Sequence, residues 1–568
     1  MRRKNWVGCV CAAAALAGVC IAAPAPDFGP GVCIIDGASA DAQKRVDAIY
    51  AKQEAGQFDS GRYAILFKPG TYKLTVPVGF YTQVCGLGRN PGDVEIVGAV
   101  RSTARWMANR NATCNFWRSA ENLSVTPTVD GGVNIWAVSQ ATSLRRVRIK
   151  GDVHLWDGGW SSGGFLADSV VEGKISSGSQ QQWFSRNCDW KEWEGGNWNM
   201  VFVGVTNPPA GQWPGKPYTT IERAPVVREK PFLFVEGDEY FVCVPPVRRE
   251  ASGISWKEGE TPGEKLPLSA FYIARSERDD AKTINAALEA GKHLLLTPGI
   301  YRLDAPLRIN KPGTVVLGMG FATLSAVGGG ALLELADVDG LCVGGLILEA
   351  GEKESAVLME VGKVGSKRGH AADPIVLFDI SCRAGGAVNG VCGTFVTVHA
   401  SDVVGENLWL WRADHGEGAG WKSNRNAHGL IVNGDNVTMY GLFVEHTQEY
   451  QTIWNGEGGR VYFYQSEMPY DPPSAAAWKN GSKVGFASYK VADTVRRHDA
   501  WGLGVYCVFV DASIIAESAI EAPETPGVRL RNMIAVRLSG KPDSGIRHVL
   551  NGMGDPVIDR QVSRLLSN

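Results

Sequence analysis

The segment Ala64-Ile65-Leu66-Phe67-Lys68-Pro69-Gly70-Thr71-Tyr72 is written a second time in this chain, as His293-Leu294-Leu295-Leu296-Thr297-Pro298-Gly299-Ile300-Tyr301. Each copy follows a short stretch of helical character, residues 42–54 and 281–290. Each precedes a glycine turn, Cys85-Gly86-Leu87-Gly88 in one case and Leu317-Gly318-Met319-Gly320 in the other. The Pro-Gly pairs lie 229 residues apart and the Gly-x-Gly turns 232 apart, so the spacing survives with a three-residue slip. An apolar run, a Pro-Gly corner, a tyrosine and a second short strand form the opening coil of a right-handed parallel β-helix. A repeat of such long period decides the architecture before any local reading does. Two copies predict two tandem solenoids, all-β, packed side by side.

Composition agrees. The 568 residues exceed what a single core accommodates. With 69 Gly, 20% charged residues and recurrent short Val, Ile and Thr runs, many short strands with tight turns are expected. Residues 1–22 read as a signal peptide: Arg2, Arg3 and Lys4 precede the apolar run from Val7 to Ala22, and small residues follow. A secreted or periplasmic protein is expected. The net charge is −2, about −5 without that leader, which excludes the basic face of a nucleic-acid binder. No later stretch reaches the ~18–20 apolar residues of a membrane span. Of twelve Cys, Cys9, Cys11 and Cys20 belong to the leader. The other nine are scattered without CxxC spacing, which suits buried small hydrophobes with one or two bridges at most. Neither metal nor cofactor is implied, and a monomer is expected.

The predicted organisation is a leader (1–22), an N-terminal β-helix (23–205), a proline-rich connector (206–269), a C-terminal β-helix (270–520) and a tail (521–568). The connector carries a strand pair, residues 231–235 and 240–244, around Glu236-Gly237-Asp238-Glu239. The tail is expected to be peripheral, with residues 528–536 as one last strand.

Coils of ~20–25 residues stack about 4.7–4.9 Å apart, so residues one coil apart lie side by side. Two windows concentrate polar and aromatic residues. One is Asn407-Leu408-Trp409-Leu410-Trp411-Arg412-Ala413-Asp414-His415; the other runs from Gly441 through Glu445-His446 to Tyr470. Glu445 and Glu467 are 22 residues apart, which stacks them on adjacent coils. Two carboxylates that close cannot both ionise cheaply, so one keeps its proton near neutrality. That suits the acid of a glycosidase.

These windows resemble the family-55 glycoside hydrolases, which cleave β-1,3-glucan. The resemblance rests on Leu410-Trp411-Arg412-Ala413-Asp414-His415, on Glu445-His446, and on Gln465-Ser466-Glu467-Met468-Pro469-Tyr470. In the first half it rests on Ser139-Gln140-Ala141-Thr142-Ser143-Leu144, Ser162-Gly163-Gly164-Phe165 and Gln181-Gln182-Trp183-Phe184-Ser185-Arg186-Asn187. It covers roughly residues 30–520 and implies tandem β-helices and hydrolysis with inversion. It further implies Glu467 as general acid, Glu445 as the neighbour that tunes it, and Gln140 and Ser162 as holders of the attacking water. Trp411, His415, His446, Gln181, Trp454 and Tyr470 are the expected substrate contacts. Spacing alone leaves open a retaining pair with Glu445 as nucleophile.

Each residue also has a plainer reading. Stacked Glu and Gln outside a β-helix are ordinarily solvated, histidines brace neighbours, and tryptophans pack. The connector, Asp471-Pro472-Pro473-Ser474 and the stretch from Asn455 to Arg460 depart from the family pattern. Two rivals share the architecture. A polysaccharide lyase needs a cation or Arg/Lys against a uronate, for which Arg460 near Glu457 is the nearby arrangement. A non-catalytic glycan-binding β-helix needs no paired carboxylates.

Overall fold

A computed structural model describes residues 26–256, 261–558 and 561–568; the expected leader lies outside them. Two parallel β-helices make up the chain. In the first, parallel strands stack in the order Val32–Ile35, Tyr63–Phe67, Thr82–Gly86, Arg118–Pro127, Thr142–Ile149, Phe165–Ala167, Gln182–Arg186, Asn199–Val203 and Tyr218–Ile221. In the second, the stack runs from Phe271–Ala274 and His293–Leu296 through Val404–Arg412, Thr438–Glu445, Gly459–Glu467 and His498–Phe509 to Val528–Gly540.

The duplicated segment does the same work twice. A helix, Ala42–Gln53 or Ala281–Glu289, leads into each copy. Tyr72 Oη donates to the carbonyl of Lys68 at 2.8 Å, and Tyr301 Oη donates to that of Thr297 at 3.0 Å. Each tyrosine thereby ties down its own Pro-Gly corner and satisfies a buried carbonyl. In the glycine turns, a Cβ on Gly86 or Gly318 would collide with the carbonyl of the next coil, that of Asn122 or Gly345. Both repeats are therefore about backbones stacked at closest approach.

Later coils turn one corner at a residue with positive φ. These are Asn122 (55°), Arg146 (53°), Asp168 (50°) and Asn187 (52°) in the first helix. Asp379 (49°), Asn407 (55°), Gly441 (70°) and Phe463 (70°) follow in the second. Asn, Asp and Gly tolerate this region; Arg146 and Phe463 do not by themselves, and Phe463 is held there by packing on Phe184 and Phe443.

A shared apolar layer joins the helices. Phe80, Tyr81, Trp117, Phe165 and Phe184 of the first meet Trp409, Trp411, Phe443 and Phe463 of the second. Within this layer Arg145 forks onto Asp379 (2.9 Å) and reaches Glu406 (2.9 Å) across the boundary.

Two sequence expectations shift and one holds. The first helix extends past residue 205, because Tyr218–Ile221 pairs in parallel with Asn199–Val203 despite its proline-rich approach. The connector is antiparallel: Phe232–Glu236 pairs with Glu239–Val244, as the hairpin predicted, and Lys230 bonds Glu121 and Asp379, one on each helix. The tail is not peripheral. Val528–Gly540 continues the parallel sheet from His498–Phe509, Gly545–Leu550 continues the other sheet, and Val562–Ser567 covers the edge antiparallel. The nine cysteines of the described residues are free thiols, so no bridge contributes. Truncation after Glu521 should leave the long edge of His498–Phe509 unpaired and its apolar residues bare. The truncated chain is expected to elute as aggregate in size-exclusion chromatography; a monodisperse, folded product would mean the C-terminal coil is dispensable.

Candidate active site

The strand register places the two glutamates. Thr438–Glu445 and Gly459–Glu467 pair in parallel with Glu445 opposite Glu467, as the 22-residue spacing predicts. Both side chains point into a cavity of about 450 Å³ between the helices. Gln140, Ser162 and Gln181 line it from the first helix; Trp411, His415, His446 and Tyr470 line it from the second.

The two carboxyls have different surroundings. Glu445 is only 3% exposed and is ringed by donors. Gln140 Nε2 and Gln465 Nε2 each donate to its Oε1 at 2.7 Å, and Trp409 Nε1 donates to its Oε2 at 2.7 Å. Glu467 keeps partial access to the cavity and has one side-chain partner, a short hydrogen bond from Tyr470 Oη. Burial raises the pKa of both, and the charge of Glu467 raises Glu445 further. One proton is therefore shared by the pair near neutrality. The donors decide where it resides. The three N–H donors on Glu445 favour its ionised form and so favour the proton on Glu467, against the burial and the Glu467 charge that push the Glu445 pKa up strongly.

Asp414 lies between two histidines. His415 Nδ1 is 2.9 Å from its Oδ1, and His446 Nε2 is 4.0 Å away. Burial opposes ionisation, but the hydrogen bond from His415 and the charges of His446 and His415 hold Asp414 at about 2. His446 Nδ1 donates to the carbonyl of Met468 at 3.1 Å, which leaves Nε2 facing Asp414. His446 also has φ of 64°, a strained backbone held where the cavity needs its ring. Arg412 forks onto Asp471 at 2.8 and 2.9 Å and so fixes the chain just after Tyr470.

Nine of the ten residues singled out from the sequence line this one cavity. Trp454 does not: it is 0% exposed, pointing inward and packed on His498 in the core of the second helix. An aromatic in an alternating strand looks the same in sequence whether it faces in or out. Trp411 reaches the cavity but is 2% exposed, engaged by Trp409 and Phe58, so it forms wall and has no bare face for a sugar. Arg460 and Glu457 lie elsewhere: Arg460 lines a separate groove with Arg249 and Glu250, and Glu457 accepts from the Arg496 and Arg497 amides. Sequence reasoning did not single out Asp414 and Gln465, although both fall inside the quoted motifs. Gln57, Phe58 and Phe116 carried no signal at all. Gln57 Nε2 lies 2.6 Å from His415 Nε2, from a loop that follows the first helical segment.

The LAM55 pectate lyase-like domain family matches residues 271–467. An exo-β-1,3-glucanase of Streptomyces sp. (strain SirexAA-E / ActE) is 47% identical over 534 residues, 93% of this chain and 87% of that protein. The chain belongs to glycoside hydrolase family 55. The structure of sacteLam55A from Streptomyces sp. SirexAA-E superposes with a TM-score of 0.93 at 45% identity, covering 96% of this chain and 99% of that one. A variant of sacteLam55A in complex with glucose superposes equally well, TM-score 0.93, over 95% of this chain and 98% of that one. The family-55 fold thus spans both helices of this glycoside hydrolase, connector included.

The proton assignment makes a pH prediction. With the proton on Glu467, the active form is present at low pH and lost as pH rises through its raised pKa. Glu445→Gln removes the adjacent negative charge and lowers the Glu467 pKa, moving the alkaline limb of the pH–rate profile to lower pH. The limb is read from kcat/KM between pH 4 and 9; an unmoved or upward-shifted limb would place the proton on Glu445 instead.

Proposed function

We propose that this chain hydrolyses β-1,3-glucan from a chain end with inversion, Glu467 donating a proton to the departing sugar oxygen. The observation that carries this reading is the register of Glu445 on Glu467 together with the bond from Gln140 on the other helix. Glu467 is the carboxyl with access to the cavity and, by the donor argument, the one with a proton. Glu445 holds that proton on its neighbour by charge and holds Gln140 by hydrogen bond.

The attacking water is assigned to Gln140 and Ser162. Inversion needs roughly 6.5–9.5 Å between acid and base to admit water, whereas side chains on adjacent strands lie ~5 Å apart. Glu445 is therefore no direct base. As a nucleophile it would have to free oxygens already engaged by three donors, so the retaining alternative is disfavoured. Gln140 is oriented by Glu445, and Ser162 Oγ lies 2.5 Å from Ser139 Oγ, so both are fixed polar groups lining the same cavity as Glu467. The lining contains three carboxyl side chains and neither Lys nor Arg. That environment repels a uronate and suits a neutral glucan, against the lyase. End-on attack is supported by the relative named an exo-β-1,3-glucanase. Export belongs to the same proposal, since the glucan is a polymer outside the cell and the chain begins with a basic and then apolar segment. Among the described residues no helix is long and apolar enough to cross a membrane.

The test is Glu467→Gln, which keeps shape but removes the transferable proton. Turnover of laminarin, followed as released glucose, should fall ~10²–10⁴-fold. An aryl glucoside with an acidic leaving group should lose much less. Gln140→Ala should slow both substrates alike, because water is needed whichever group leaves. Near-full turnover by Glu467→Gln would remove the acid assignment.

A further inference from the structure

Leu538 is the extra residue of a β-bulge. Val528–Gly540 pairs with His498–Phe509 in step as far as Arg537 opposite Cys507, and then resumes with Ser539 opposite Val508. Leu538 therefore has no partner on that strand, and the covering strand Val562–Ser567 ends its pairing at Val536. Arg537 braces the bend: its Nη2 donates to the carbonyl of Lys541 at 3.0 Å and its amide to that of Gln561 at 2.8 Å. A bulge re-aims one side chain out of the alternation of its strand. Here the re-aimed leucine is half-buried on Trp213, Tyr506, Ile534 and Val536, and it lines the same cavity as Glu467.

Strand register gives the cavity a direction. Along the second helix Trp411 pairs with Glu445, Glu445 with Glu467, Glu467 with Tyr506, and Tyr506 with Val536, two residues before Leu538. At ~4.8 Å per coil, Leu538 stands ~10 Å past Glu467, and Trp411, with Asp414 and His415 just after it, stands about as far on the other side. The Asp414 end is shut from the first helix: Gln57 Nε2 lies 2.6 Å from His415 Nε2, and Phe58 stacks on Trp411. A glucan end entering the cavity stops there, so the rest of the chain runs past the acid towards Leu538. We propose that Leu538 is a specificity-determining contact for the leaving part of the glucan, its isobutyl group lying against the apolar face of a glucosyl unit beyond the cleaved bond. This rests on the glucanase reading above and gives the C-terminal coil a part in substrate choice.

The experiment compares wild type with Leu538→Ala and Leu538→Met on laminaritriose and on β-D-glucosyl fluoride. The fluoride ends at the cleaved bond and has nothing to set against Leu538. Leu538→Ala should lower kcat/KM for laminaritriose roughly 3- to 10-fold, the range of one aliphatic contact, and mostly through KM. Turnover of the fluoride should stay at the wild-type value, which also shows that the acid pair and the fold are intact. Leu538→Met, which conserves volume, should restore most of the activity on laminaritriose. Equal losses on both substrates in either variant, or no loss on laminaritriose in Leu538→Ala, overturn the contact. A wild type that hydrolyses the fluoride but leaves laminaritriose and laminarin intact overturns instead the glucanase reading beneath it, so the two failures are distinguishable.

Discussion

The hydrogen bond from Gln140 to Glu445 crosses from one β-helix to the other, and the cavity has its shape only while that crossing is in register. Within a solenoid, register is a matter of backbone pairing: a slip would break every bond in the ladder. Between two solenoids no such ladder exists. The apolar layer of Phe165, Phe184, Phe443 and Phe463 stabilises contact, but hydrocarbon faces tolerate many offsets. The buried charges tolerate one. Arg145 with Asp379 and Glu406, Arg186 with Glu406 and Glu229, and Lys230 with Glu121 and Asp379 are almost entirely removed from water. Such a network adds little net stability, yet leaving one member unpaired costs ~3–5 kcal/mol. An offset that parts them is penalised well beyond what sliding apolar surface would cost. Polar pairs fix the alignment, and apolar area supplies the adhesion.

The same division of labour appears around the proton. Burial raises both glutamates, Glu445 the more strongly, and so does not by itself put the proton on Glu467. What separates them is the chemistry of the neighbours: three donors on Glu445 against one hydroxyl on Glu467. A hydroxyl can donate to a carboxylate or accept from a carboxylic acid, so Tyr470 is compatible with either state of Glu467. The donors on Glu445 favour only one. The pair is polarised by what Gln465, Trp409 and Gln140 can and cannot do.

Much of this was legible in the sequence because β-helices convert spacing into adjacency. The 22-residue interval between Glu445 and Glu467 became a direct pairing, the hairpin around Gly237 formed where its turn residues stand, and both Pro-Gly-x-Tyr corners closed alike. What was not legible has a common cause. Spacing gives position along the stack but not the facing of a side chain, so Trp454 was indistinguishable from a wall residue. It also says nothing of contacts between stacks, so Gln57 and Phe58, which reach His415 and Trp411 from the other helix, carried no mark. The tail's last strand stands where residues 528–536 were expected, as Val528–Gly540, but spacing did not show that it pairs as a further coil of the second helix. Leu538 on that strand nonetheless lines the cavity.

The cavity is asymmetric in a way that bears on how it works. Asp414, Glu445 and Glu467 all belong to the second helix, where strand pairing sets the spacing of the two glutamates; Gln140, Ser162 and Gln181, all uncharged, belong to the first. Electrostatic energies in a low-dielectric site change steeply with distance, whereas a neutral hydrogen bond survives shifts of a few tenths of an ångström. Keeping Glu445 and Glu467 on one sheet makes their mutual repulsion a property of one rigid ladder. Small relative movements of the two helices then alter the fit of water and sugar and the bond from Gln140, while leaving the spacing of the acid pair constant. A split of the acid pair across the interface would have coupled the pKa to every such movement.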